Sequence, residues 1–133
     1  MNVKAIGLAA IAVAAFTASA FAHHSFSMFD ETKTVTLSGS VKEFEWTNPH
    51  SWLRIMVTDE KTGKAVVWAY ELSSPARLRT MGMSATSVKA GDVVTVTFHP
   101  MKDGTRAGRF LKATLPGGQV IDRAEAGDEN EER

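Results

Sequence analysis

From Thr34 to Trp46, small or apolar residues fall at Val35, Leu37, Gly39 and Val41, a period of two that predicts a β-strand. The phase then slips by one residue, because Phe44 and Trp46 carry the apolar series onward. A slip within a strand predicts a β-bulge, and Gly39 permits a sharp bend beside it. Thr47-Asn48-Pro49 reads as a turn. Ser51 to Thr58 predicts a second strand, and Asp59 to Lys64, with Thr62-Gly63, a hairpin loop. Ala65 to Leu72 is rich in β-branched and aromatic residues and predicts a third strand. Its Trp68 and Tyr70 share one face, expected to be the core face.

The period changes at Ser73-Ser74-Pro75. Ser74 suits a helix N-cap, Pro75 the first helical position and Gly82 the position just past the C-terminus, so one or two helical turns fit between them. Val93 to His99 alternates again as a fourth strand. Met101 to Gly108, with Asp103-Gly104, reads as a loop, and Arg109 to Leu115 as a fifth strand. A short last strand fits at Gln119 to Ile121. Three strands, a short helix and two more strands, the first strand long and bent, predict an all-β domain with one short helix, built as a five-stranded OB-fold-like barrel. The alternative for the same strands is a small β-sandwich.

Both ends of the chain fall outside this pattern. Lys4, an uncharged run from Ala5 to Phe16 and the sequence Ala20-Phe21-Ala22 have the anatomy of a secretory signal peptide over residues 1–22, cleaved after Ala22. Ala18-Ser19-Ala20 offers a second cleavage position. The apolar run of about 12 residues is short of the roughly 20 that span a bilayer, so no membrane association is expected after cleavage. Residues 23–121 then form the single domain. Residues 122–133 hold six acids and two bases with almost no bulk, the composition of a disordered acidic tail.

The chain has 15 basic and 15 acidic side chains, and that zero is a sum of unlike parts: +1 in the leader, +3 in residues 23–121 and −4 in the tail. A barrel so mildly basic lacks the electrostatic footprint of a nucleic-acid binder, and no nucleic-acid partner is expected. The absence of cysteine excludes disulfide staples and lipoprotein anchoring, and with the leader it suits a bacterial periplasm. It also means that any metal chemistry must rest on histidine and methionine.

All four histidines stand at element ends or at the processed terminus. His50 lies in the first interstrand loop and His99 ends strand four. In an OB-fold the loops next to them flank the usual ligand face. Cleavage after Ala22 would place the α-amine of His23 beside its imidazole and that of His24. About ten residues separate His24 from strand one, enough chain to fold back to the rim. Amine and imidazole nitrogens suit a copper-type metal at His23, His24, His50 and His99, and Met28 and Met101 would add thioethers for cuprous ion. The competing reading makes His50 part of a turn and His99 a strand terminus. Trp46 and Trp52 bracket the first loop. With Asn48, Met101 and Asp103 they mark a surface for a protein or small apolar ligand, against a competing role in the core. Enzyme signatures such as a Gly-x-Ser-x-Gly elbow or a phosphate-binding glycine loop are missing. Redox catalysis through copper would need an open coordination position.

His23-His24-Ser25-Phe26, the run Leu37 to Trp52 with Phe44-Glu45-Trp46-Thr47-Asn48-Pro49-His50-Ser51-Trp52, and His99-Pro100 with Asp103-Gly104 resemble a secreted proteobacterial family of unknown function. Trp68 to Glu71, Ser74-Pro75, Gly91-Asp92 and Gly108 fit it too, so the resemblance covers about residues 20–116. It implies a small periplasmic β-protein and transfers no catalytic residue. The chain departs from the pattern at Met83, where the resemblance implies a tryptophan nearby. The expected function is a periplasmic, non-enzymatic binding protein. Its partner is a metal ion or, in the alternative, an unidentified periplasmic protein or small ligand.

Overall fold

The computed structural model describes residues 28–125. The first strand, β1 (Val35–Glu45), is followed by β2 (Trp52–Thr58), β3 (Ala65–Glu71), helix α1 (Pro75–Thr80), β4 (Val93–Pro100), β5 (Ala107–Thr114) and a short β6 (Val120–Asp122). β1 pairs antiparallel with β4 over Val35 to Ser40 and with β2 over Ser40 to Glu45, serving two neighbours with one strand. Its register shifts between Val41 and Glu43, where the slipped periodicity placed a bulge.

Closure comes from β3 and β5, which run parallel through Ala69↔Ala107, Tyr70↔Gly108 and Glu71↔Arg109. The strands therefore follow one another as β1-β2-β3-β5-β4 and return to β1. With a helix between β3 and β4, this is the OB-fold barrel and not a pair of facing sheets. β5 begins at Ala107, two residues before the expected Arg109, because Ala107 and Gly108 pair with Ala69 and Tyr70 of β3, and Gly108 also with Pro100 of β4.

Alternation sends Leu53, Ile55 and Val57 of β2, Tyr70 of β3, Val94, Val96 and Phe98 of β4, and Phe110 of β5 inward. Tyr70 and Trp68 both lie against Phe98, with ring centroids 4.7 and 5.3 Å away. Ser74 caps α1 by accepting from the Arg77 N–H, and Gly82 takes φ 87° just beyond it. The helix and its exit bring Leu78 and Met83 into the core, so the position where the resemblance implied an aromatic is filled by a buried methionine. β6 reaches Asp122, and the Arg123 N–H donates to the Leu111 carbonyl. The sheet thus takes in the first residues of the segment expected to be disordered from 122 onward. The leader 1–22, His23, His24 and residues 126–133 lie outside the described residues.

Gly108 has no room for a side chain: a Cβ there would strike the Phe98 ring and come within 2.6 Å of the His99 carbonyl oxygen. Gly108→Ala is expected to cost about 1–3 kcal/mol, read as a lower urea midpoint at unchanged m-value. The buried Tyr70 hydroxyl has no hydrogen-bond partner, and burial raises its ionisation well above the ordinary phenol value. Tyr70→Phe should leave stability within about 1 kcal/mol of the parent or raise it, since the lost group satisfies nothing.

Candidate functional site

The loop between β1 and β2 is tied internally. The Thr47 hydroxyl donates to the His50 carbonyl, and the buried Ser51 hydroxyl bonds the Thr47 backbone. The Asn48–Pro49 peptide is cis and Asn48 is exposed at the tip. Backbone bonds join Ser51 to Ser73 and Leu72 to Ser51, seating the loop on the end of β3. Against that seat His50 Nδ1 lies 3.3 Å from the Leu72 carbonyl and 3.4 Å from Glu71 Oε1.

His99 is held differently. The segment before β1 folds back along the end of β4: Phe29 bridges Met101, the Asp30 N–H donates to the Pro100 carbonyl, and the Lys102 N–H donates to the Met28 carbonyl. Phe29 is buried and anchors this return. It puts the Lys33 carbonyl 2.7 Å from His99 Nδ1 and Glu31 3.0 Å from the Arg109 guanidinium. In both histidines Nδ1 faces a carbonyl, which can only accept, so Nδ1 carries the hydrogen and the neutral ring keeps its lone pair on Nε2.

Cross-strand register sets the two histidines apart. Trp52, Glu71, Arg109 and His99 form one row across β2, β3, β5 and β4. Two strand spacings, about 10 Å, separate the Glu71 and His99 backbones, with Arg109 between them. His50 turns to the β3 side of Arg109 and His99 to the β1 side. Among the described residues, no group of three or more His, Cys, Asp or Glu is placed to hold a metal ion.

The remaining candidates are placed as follows. Trp46 is half-buried, edge-on to Phe44 at 5.8 Å, with the Arg79 guanidinium 5.5 Å above its ring, so it joins α1 to β1. Trp52 lies on the outer face between Glu45 and Glu71 in register. That face also carries Glu43 and Arg54, and Arg54 pairs with both Glu43 and Glu45. Met101 is half-buried in the bridge to Phe29. Asp103 closes the loop after β4 by accepting from the Thr105 N–H at 2.9 Å.

A cleft of about 680 Å3 opens over the outer face of β4 and β5. Its floor holds Thr97, His99, Arg109 and Lys112; Glu31 forms one wall and Asp122 with the residues after it the other. The sequence reading missed this cleft and the Glu31–Arg109 pair. Its one available signal was Phe29, a bulky apolar residue just ahead of the first strand pattern.

The chain belongs to DUF6152, a family of unknown function, whose model matches residues 10–110. The comparison with curated proteins gave no match. Among solved structures, the chain is similar to the mitochondrial single-stranded DNA binding protein Rim1 of S. cerevisiae, at 13% identity and a TM-score of 0.48, covering 63% of this chain and 93% of that one. A selenomethionine-labelled structure of the same protein gives 12% identity and a TM-score of 0.47, covering 65% of this chain and 96% of that one. Nothing about ligands transfers at such identities.

Three turn carboxylates shape the acid response. Asp30 is held below its ordinary pKa by the Thr32 hydroxyl, Asp59 by the N–H groups of Thr62 and Lys61, and Asp103 by the Thr105 hydroxyl and N–H. A depressed folded pKa adds stability that is present above the unfolded value and lost as pH falls through the folded one. Urea midpoints should therefore fall as the pH drops below the ordinary carboxylate range, and Asp59→Asn should shrink that fall.

Proposed function

We propose that this member of the DUF6152 family is a periplasmic, non-enzymatic binding protein that takes a copper-type metal ion through histidines at the barrel rim. The observation behind the reading is the placing of His50 and His99: each sets Nδ1 against a backbone carbonyl, which in the neutral ring leaves the lone pair on Nε2. Metal-binding histidines are oriented by such a bond on their other nitrogen. His50 has in addition the Glu71 carboxylate beside the same nitrogen.

In this reading the main site is His99 together with His23 and His24. The Lys102–Met28 bond holds the chain at the rim, and His24 stands four residues earlier, a reach of about 13 Å. Signal cleavage after Ala22 supplies the α-amine of His23, giving a nitrogen-rich set that suits cupric ion. Met28 and Met101, adjoining at the Phe29 bridge, offer thioethers to cuprous ion. His50 with Glu71 is a separate, weaker position, because Arg109 stands between it and His99. The alternative, a metal-free interaction module built on Trp46 and Trp52, draws less support, since Trp46 already packs under Arg79.

No nucleic acid enters the reading. The outer face of β1, β2 and β3 carries Glu43, Glu45 and Glu71, and its Arg54 is paired with two of them. No membrane partner enters it either.

Titration of the processed protein with Cu(II) against a competing chelator tests the proposal. Submicromolar binding is expected, weakened at least about tenfold, or about 1.4 kcal/mol, by His99→Ala. Micromolar or weaker binding, indifferent to both His99→Ala and His50→Ala, would overturn it. The intact mass of the secreted protein, purified without chelators, should match a chain that starts at His23; a start at Phe21 would remove the terminal-histidine chelate.

A further inference from the structure

We propose that the cleft over β4 and β5 is a docking groove for an acidic, extended peptide, and that its occupant is this chain's own C-terminal segment, residues 126–133. The first argument is position. Arg123 and Ala124 line the cleft, so the chain leaves the described domain from the groove itself. The second is charge. Residues 28–125 carry 13 basic and 11 acidic side chains, whereas residues 126–133 carry Asp128, Glu129, Glu131 and Glu132 against Arg133 alone. The groove gathers Arg109, Lys112 and Arg123, with Glu31 and Asp122 opposite.

Those native pairs leave room for exchange. Lys112 is half-exposed and 3.6 Å from Asp122, an ion pair beyond hydrogen-bond length whose partner a tail carboxylate can replace. Arg109 is mostly buried beneath Glu31 and supplies fixed positive charge at the floor. Eight residues span up to about 26 Å, so the acids reach the groove without strain. Tethering raises their effective concentration to the order of millimolar, where weak contacts suffice. The segment has no side chain larger than alanine to bury among its apolar residues, so the contact is electrostatic and salt-labile. Docked, it would lie across the His99 side of the groove. This holds whether or not His99 takes a metal.

The absence of cysteine makes the test direct. Asn130→Cys gives the full chain one attachment point for a nitroxide, with EDTA present so that bound metal plays no part. At about 0.01 M salt, the amide signals of Thr97, His99, Arg109 and Lys112 should lose intensity, while those of Glu43 and Arg54, in the β1–β2 pairing away from the groove, keep theirs; at about 1 M salt the loss should disappear. The same label in a chain with Asp128→Asn, Glu129→Gln, Glu131→Gln and Glu132→Gln should show no loss. Broadening that is absent, spread evenly, or kept after the acids are neutralised overturns the proposal. So does a groove whose amides shift with added citrate while the label's pattern stays unchanged, since its ligand would then be a small free anion.

Discussion

Gly108 is where the barrel closes, and the closure depends on its having no side chain. Three strands meet there: Gly108 pairs with Tyr70 of β3 and Pro100 of β4, under the Phe98 ring. A Cβ would displace either that ring or the β4 backbone. Gly39 plays a similar part on the far side, where a Cβ would fall on the Met56 carbonyl of β2. With both places empty, the inward faces of five strands pack Tyr70, Phe98 and Phe110 into one core.

Closure also arranges the outer surface. The short parallel pairing of β3 with β5 puts Glu71, Arg109 and His99 in one row, so a cation stands between the two rim histidines. The return of Phe29 onto Met101 then gives His99 its carbonyl partner and the cleft its Glu31 wall. The rim is thus two positions, His50 on Glu71 and His99 on Lys33, where the loops alone suggested one cluster. The proposed metal chemistry leans on His99 because the chain carrying His23 and His24 is fastened on that side.

Much of the fold was legible because β2 and β4 alternate between core and outer face. Val94, Val96 and Phe98 announce β4, and the slip after Val41 announces the bulge in β1. Ser74, Pro75 and Gly82 bracket α1 for local reasons that need no partner. The start of β5 was not legible: Ala107 and Gly108 have no strand pattern and become strand by pairing with Ala69 and Tyr70. Trp46 and Trp52, alike in the sequence, part company in the structure, because only Trp46 has α1 laid over it.

What the sequence determined by itself is therefore the local and periodic part: the strands, the capped helix, the turns and the placing of His50 and His99 at element ends. The tertiary structure decided what depends on contact between distant segments. Barrel closure, the carbonyl partners of His50 and His99, the Arg109 partition and the cleft all join residues brought together by strand register. Periodicity tells which way a side chain faces, and it carries no information about which distant strand supplies its neighbour.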